Sequence, residues 1–278
     1  MKKLSLYDKL NAASLLLFSP EWRKVKRARK KAESIETPDV SIPTETRNIA
    51  GRMIRLAESG PLDAPLVVLL SPFPESILSY TGCWEALTEK CRVIAIDLPG
   101  FGASEGDRKD MSPSAQGAHL AAIFNELDLE NIHLIAPDVG MAAALDYVLN
   151  HNHRLSSLAV GHGIGAPGPF KIAFLTNMLA KFSFMRFTTG LFGAGPLIAL
   201  TSKIGAIRNK ANAKQMDDYK RSYSGRAGEV IHWFKDFRPR AKELAARVNE
   251  IELPTLIFWG ELDVLFHPSN AEHLHAAL

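Results

Sequence analysis

From about residue 45 onward, short apolar runs alternate with longer stretches of helical periodicity. The apolar runs are Leu66 to Leu70, Val93 to Ile96, Ile132 to Ile135, Leu155 to Val160 and Leu256 to Trp259, and each closes on Gly, Pro, Ser or Asp. Strands that read apolar almost from end to end are covered on both faces, which predicts a mainly parallel sheet flanked by helices. The intervening helices are predicted at Trp84 to Lys90, Ser114 to Leu127 and Met141 to Leu149. Ahead of them, Asn48-Ile49 and Met53 to Leu56, separated by Ala50-Gly51, read as an opening antiparallel pair.

The alternation stops at Gly161. Residues 162 to about 245 hold no convincing strand, and no Asp or Glu occurs between Asp146 and Asp217. Phe170, Phe174, Met178, Phe182, Phe184, Met185, Phe187 and Phe192 are interleaved there with Lys171, Lys181, Arg186 and Lys203. This predicts a helical insertion, with the sheet resuming at Leu253-Pro254. Such an insertion either buries its aromatics as an ordinary subdomain or caps an apolar, mildly cationic pocket. The expected organisation is a basic N-terminal helical arm over 1–44, a first core part over 45–165, a cap over 166–245 and a second core part over 246–278.

At 278 residues, with 46% hydrophobic and 23% charged, the chain fits one large α/β core with an insertion and excludes wholesale disorder or a disulfide scaffold. Cys83 and Cys91 stand in no ligand pattern, so no metal or cofactor is expected. The uncharged stretch from Phe187 to Ser202 is broken by Gly190, Gly193, Gly195 and Pro196, which argues against a membrane span. The net charge of +3 hides an asymmetry: residues 1–33 hold ten Lys/Arg against three Asp/Glu. Arg23, Lys24, Lys26, Arg27, Arg29, Lys30 and Lys31 follow Leu15-Leu16-Leu17-Phe18 and Trp22. Residues 20–33 are read as a solvated helix packed on the core, with peripheral contact to an anionic membrane as the functional reading. Asp8 and Lys9 and the lack of a small-residue cleavage site argue against a secretory signal, so a cytoplasmic protein is expected, with no nucleic acid as partner.

Two pattern matches fail on context. Gly102-Ala103-Ser104-Glu105-Gly106 fits Gly-x-Ser-x-Gly, but Pro99-Gly100-Phe101 precedes it and Asp107-Arg108-Lys109-Asp110 follows, so strand and helix are both missing and Ser104 reads as a loop residue. Gly163-Ile164-Gly165-Ala166-Pro167-Gly168 fits the dinucleotide fingerprint, but Pro167 and Pro169 disturb the required helix and the following acid is absent. The segment Asn131 to Leu145 does supply the context. A strand ends at a polar residue, Asp138, and a helix of small residues begins two positions later, which is the layout of a nucleophile elbow.

Taken together, these residues resemble the α/β-hydrolase superfamily over nearly all of 45–278, and specifically its aspartate-nucleophile branch of epoxide hydrolases and dehalogenases. Ser71-Pro72-Phe73-Pro74-Glu75-Ser76 is similar to the His-Gly-Phe-Pro-Glu-Ser segment of epoxide hydrolases. Asp97 to Ser104 is similar to the loop after the next strand, and Trp259-Gly260-Glu261-Leu262-Asp263 to the segment bearing the catalytic acid. The resemblance implies that Asp138 attacks an electrophilic carbon to form an alkyl ester, that the backbone N–H groups of Phe73 and Val139 form the oxyanion hole, and that Asp263 orients a histidine base.

Departures from the pattern narrow the substrate. Val139 stands where haloalkane dehalogenases place a halide-binding Trp, and Met141, Ala142 and Ala143 replace the Arg of fluoroacetate dehalogenases. Phe234 occupies the place of one epoxide-protonating tyrosine, leaving Tyr219 and Tyr223 as cap candidates. The family's histidine follows one more strand after the acid, whereas fifteen residues follow Asp263 here. His267 lies in the adjoining loop, and His273 and His275 on a helix, so the last strand, the last helix and the catalytic His are expected to be missing. The expected activity is epoxide hydrolase-like on a small apolar substrate, with the hydrolytic step in doubt. The alternative is a non-catalytic binding or membrane-associated protein that keeps the fold.

Overall fold

The computed structural model describes residues 20–33, 35–205, 207–235 and 237–278. Leu15 to Phe18 lie outside them. Helix α1 (Pro20–Lys31) and the two-residue strand β1 (Ile35–Glu36) precede the core. The core then runs β2 (Thr44–Ile49), β3 (Arg52–Ser59), β4 (Leu66–Leu70), α2 (Trp84–Thr88), β5 (Arg92–Ile96), α3 (Pro113–Glu126), β6 (Ile132–Pro137), α4 (Val139–Asn150) and β7 (Leu155–Gly161). Over the sheet lie α5 (Phe174–Lys181), α6 (Ser183–Phe192), α7 (Ala194–Ile204), β8 (Asn209–Lys210), α8 (Ala213–Tyr223), α9 (Ala227–Val230) and α10 (Phe237–Ala245). The chain returns to the sheet at β9 (Thr255–Ile257) and closes with α11 (Ser269–His275). Among the described residues no helix is long and apolar enough to cross a membrane.

Seven strands form one sheet in the order β2-β3-β5-β4-β6-β7-β9, parallel from β5 to β9 and antiparallel at the β2-β3-β5 edge. The two-residue turn Ala50-Gly51 has φ of 51° and 75°, the positive values that a tight hairpin matching strand twist requires. Every residue of β4 is buried, as a central strand demands. The chain leaves β4 for β5 on one side and returns to β6 on the other. The loops after β4 and β6 therefore part at the carboxyl edge, and the crevice between them is where such sheets place ligands.

One short strand departs from the sequence expectation for 162–245. β8 pairs in parallel with β1, and Ile35 N–H donates to the Arg208 carbonyl at 3.1 Å while Thr37 Oγ1 donates to that of Lys210 at 2.8 Å. A bridge of two exposed polar residues leaves no periodicity to read. It straps the N-terminal segment to the helices above the sheet.

A buried cation joins core to helices. Arg55, on β3, donates through Nε to Asp97 at 2.6 Å and through both Nη atoms to Asp218 on α8 at 2.8 and 3.1 Å. Ser76 Oγ donates to the same Asp218 carboxylate at 2.6 Å, and Ile77 N–H to Asp97 at 2.9 Å. Burial alone would lower the guanidinium's pKa, but the two carboxylates outweigh it and raise the value. Removing one member of such a network strands the others in a dry interior. Arg55→Ala is expected to cost about 3–5 kcal/mol of unfolding free energy, measured by urea denaturation, and a loss below about 1 kcal/mol would show that water replaces the guanidinium.

Candidate active site

Asp138 sits on the turn from β6 to α4 with φ 55° and ψ −118°. A non-glycine residue holds such a conformation only where its surroundings enforce it. Two close approaches do so. A Cβ at Gly140 would lie 3.0 Å from the Cβ of Leu70, and one at Gly163 would lie 2.5 Å from the carbonyl of Asp138. The small residues thus let α4 and the loop after β7 close on the turn, and Asp138 N–H is fixed by the Gly161 carbonyl at 3.0 Å.

The turn raises the Asp138 carboxylate into the crevice. Its Oδ2 accepts the Phe73 N–H at 2.7 Å, and the Val139 N–H also bonds the carboxylate. The two groups expected to form the oxyanion hole therefore point at one carboxylate, from the β4 loop and the start of α4. Ser104, by contrast, is buried in structural bonds: its Oγ donates to the Asp97 carbonyl at 2.6 Å and accepts the Arg55 N–H at 2.8 Å.

A histidine stands beside this carboxylate. His162 follows β7 directly, has φ 53°, and bonds Asp263 Oδ2 through Nδ1. Asp263 is buried, and its Oδ1 accepts the N–H groups of Leu265 and Phe266 at 2.8 and 2.9 Å. The ring of Phe266 meets the imidazole edge-on at a centroid distance of 5.1 Å. The expectation that Asp263 has no histidine to orient is thereby corrected: the partner follows β7, the neighbour of β9 in the sheet, and does not come from beyond Asp263. His267 is exposed and bonded to Ser269, and neither His273 nor His275 lines the cavity that holds Asp138.

That cavity measures about 450 Å³ and is lined by Glu75, Asp138, His162, Ile198, Met216 and Tyr219, with Thr37 and Pro38 of the strapped segment. Its volume suits a small molecule. Tyr219 reaches it from α8 and hydrogen-bonds Glu75. Tyr223 does not line it: its hydroxyl donates to the Glu75 carbonyl at 2.7 Å and accepts the Gly102 N–H at 2.9 Å, a clamp between α8 and two core loops. Among the described residues no His, Cys, Asp and Glu group is arranged to hold a metal ion.

A family model described as the alpha/beta hydrolase fold matches residues 65–278. The chain belongs to the α/β-hydrolase fold family. An uncharacterized protein of Mycobacterium tuberculosis is 24% identical over 257 residues, covering 86% of this chain and 73% of that one. A haloalkane dehalogenase from Bradyrhizobium elkani superposes with a TM-score of 0.70 at 18% identity, covering 86% and 87% of the two chains. An epoxide hydrolase solved without ligand gives 0.62 at 18% identity, covering 80% and 83%. At such identities the likeness establishes the fold of this α/β-hydrolase member, and its chemistry rests on the cavity.

The acids in this α/β-hydrolase cavity crowd one another. Burial pushes the Glu75 carboxyl up to about 7, assisted by the charge of Asp138 and opposed by His162 and the Tyr219 hydrogen bond. Burial likewise pushes Asp138 up to about 6, against the pull of His162 and the two backbone donors. For His162 burial acts to lower the value, but the Asp263 bond and the charges of Asp263, Asp138 and Glu75 together raise it. Tyr219 is held well above its ordinary value, first by burial and then by Glu75. Neither Glu75 nor His162 was singled out as catalytic from the sequence.

A raised carboxyl means that the folded state binds its proton more tightly than the unfolded chain, so the stability contributed by Glu75 is complete below about 4.5 and is lost as pH rises through about 7. Glu75→Gln is therefore expected to stabilise the protein progressively across that window, by about 2–3 kcal/mol at its upper end. Urea unfolding of both proteins across the window measures this, and a pH-independent difference between them would refute the raised carboxyl.

Proposed function

We propose that this protein is a hydrolase in which Asp138 is the nucleophile, acting through an alkyl ester on a small apolar electrophile such as an epoxide. The observation that carries the reading is the Asp138 carboxylate, held by two backbone N–H groups on a strained turn and facing a cavity also lined by His162, which Asp263 bonds from behind.

The geometry supports a two-step reaction. Oδ2 is occupied by the Phe73 N–H, so Oδ1 attacks the epoxide carbon and the ring C–O bond breaks. The new alkoxide takes a proton from the Tyr219 hydroxyl, which its raised pKa keeps protonated, and Glu75 returns a proton through its bond to Tyr219. Water then adds to the ester carbonyl carbon of Asp138. His162 removes the water's proton through Nε2, because Nδ1 is engaged by Asp263. Negative charge gathers on Oδ2, against the N–H groups of Phe73 and Val139. Collapse breaks the bond between the carboxyl carbon and Oδ1; the departing alkoxide takes the proton held by His162 and leaves as the diol, and the second proton of the added water returns to Glu75, restoring the Asp138 carboxylate. Val139 in place of a halide-binding side chain makes halide departure the less suited variant, and the apolar wall at Ile198 and Met216 suits an uncharged substrate.

The half-reactions separate by mutation. With a panel of small aryl and alkyl epoxides, the unaltered chain is expected to release diol, at a rate that rises with pH as His162 deprotonates above its ordinary 6.5. His162→Gln is expected to slow hydrolysis by about 10²–10⁴-fold while leaving alkylation intact, so that a mass increase of one substrate accumulates on Asp138. Asp138→Asn abolishes both. Adducts mapping to Cys83 or Cys91, or diol release that survives Asp138→Asn, would overturn the assignment.

A further inference from the structure

The helices above the sheet turn an apolar ridge outward. On α6, Phe184, Phe187 and Leu191 are 70%, 68% and 73% exposed. Spacings of three and four residues gather them into one stripe of the helix. The other side is fixed, for a Cβ at Gly190 would lie 2.8 Å from the Gly228 Cα, so α6 lies backbone to backbone against α9. The hydroxyls along the helix are absorbed within it, Thr188 Oγ1 donating to the Phe184 carbonyl at 3.1 Å and Thr189 Oγ1 to that of Met185 at 2.8 Å. Large apolar side chains gathered at a surface mark a binding face.

Charge selects what covers it. No Asp or Glu occurs between Asp146 and Asp217, and the ridge follows Lys181, an exposed ammonium 5.3 Å from the centroid of the Phe182 ring. A second copy docked through the same stripe would offer Lys181 no acidic partner from residues 147–216. Three side chains also supply far less than the roughly 1,200–2,000 Å² that stable protein interfaces bury. An anionic bilayer satisfies both features, since apolar side chains enter the boundary between headgroups and acyl chains while cations remain among the phosphates. The strap formed by β1 and β8 ties the segment after α1 to the same set of helices, and α1 carries the exposed Arg23, Lys24, Lys26, Arg27, Lys30 and Lys31.

We propose that α6 is a membrane-docking element that seats Phe184, Phe187 and Leu191 in the surface of an anionic bilayer. The test uses the full chain with vesicles of phosphatidylcholine alone and of phosphatidylcholine containing phosphatidylglycerol. Sedimentation with the anionic vesicles only is expected, weakened by salt. The Phe184→Ser/Phe187→Ser double variant should lose roughly tenfold or more of that binding while keeping its unfolding midpoint, since both positions are exposed. In Phe187→Trp the indole emission should shift to the blue only when anionic vesicles are added. Unchanged binding by the double variant would overturn the proposal, as would equal binding to both vesicle types. So would an indole emission already blue without lipid, which would mean that residues 1–19 or a second copy cover the ridge.

Discussion

Arg55 is the piece of electrostatics on which the rest of the structure depends. Its guanidinium faces Asp97 at the end of β5 and Asp218 on α8, and Asp218 in turn receives Ser76 from the loop after β4. One planar cation therefore fixes three separate pieces: the sheet, the helix carrying Tyr219, and the loop carrying the Phe73 N–H and Glu75. A lysine would carry the same charge without the fork that engages two carboxylates in different directions. Because the network is buried, its members cannot drift apart without exposing a charge to a dry interior, and the precision of the cavity follows from that penalty.

Within the cavity the arrangement is acidic and economical in cations. Glu75, Asp138 and Asp263 converge on one imidazole. Burial, assisted by the charge of Asp138, holds the Glu75 carboxyl up at about 7, so it keeps its proton closer to neutrality than an ordinary glutamate. The backbone donors of Phe73 and Val139 favour charge on Asp138, while Glu75 lacks such donors in the contacts that set its pKa. The same fold thereby gives two chemically similar carboxyls different surroundings, one held by backbone donors and the other dominated by burial.

The sheet was legible because its strands are apolar runs closed by turn residues, and the strand-to-helix turn at Asp138 because a strand, a polar residue and small helix residues follow one another there. Phe73 and Val139 were legible through the resemblance of the loops that carry them. His162 was not. The family pattern puts the base after Asp263, and His162 directly precedes the Gly163–Gly168 match to a nucleotide motif. The rule that singled out Asp138, a polar residue at the carboxyl end of a buried parallel strand, applies equally to a histidine after Leu155 to Val160, and it was the available signal. The strap of Ile35–Glu36 on Asn209–Lys210 left no comparable trace, because a backbone pairing of two residues a side imposes no side-chain pattern. The Arg55 network is equally silent, since only folding brings together residues 42 and 163 positions apart.

That strap has an evolutionary consequence. Thr37 and Pro38 line the cavity, yet the bonds that hold their segment in place run to the carbonyls of Arg208 and Lys210, which any side chain at those two positions would leave available. One wall of the cavity is thus supplied by residues outside the β6–α4 turn and outside the Arg55 network. Thr37 gives one of those bonds through its own hydroxyl and is tied to the strap, so this wall can vary with little effect on the fold at Pro38, whose side chain supplies neither bond.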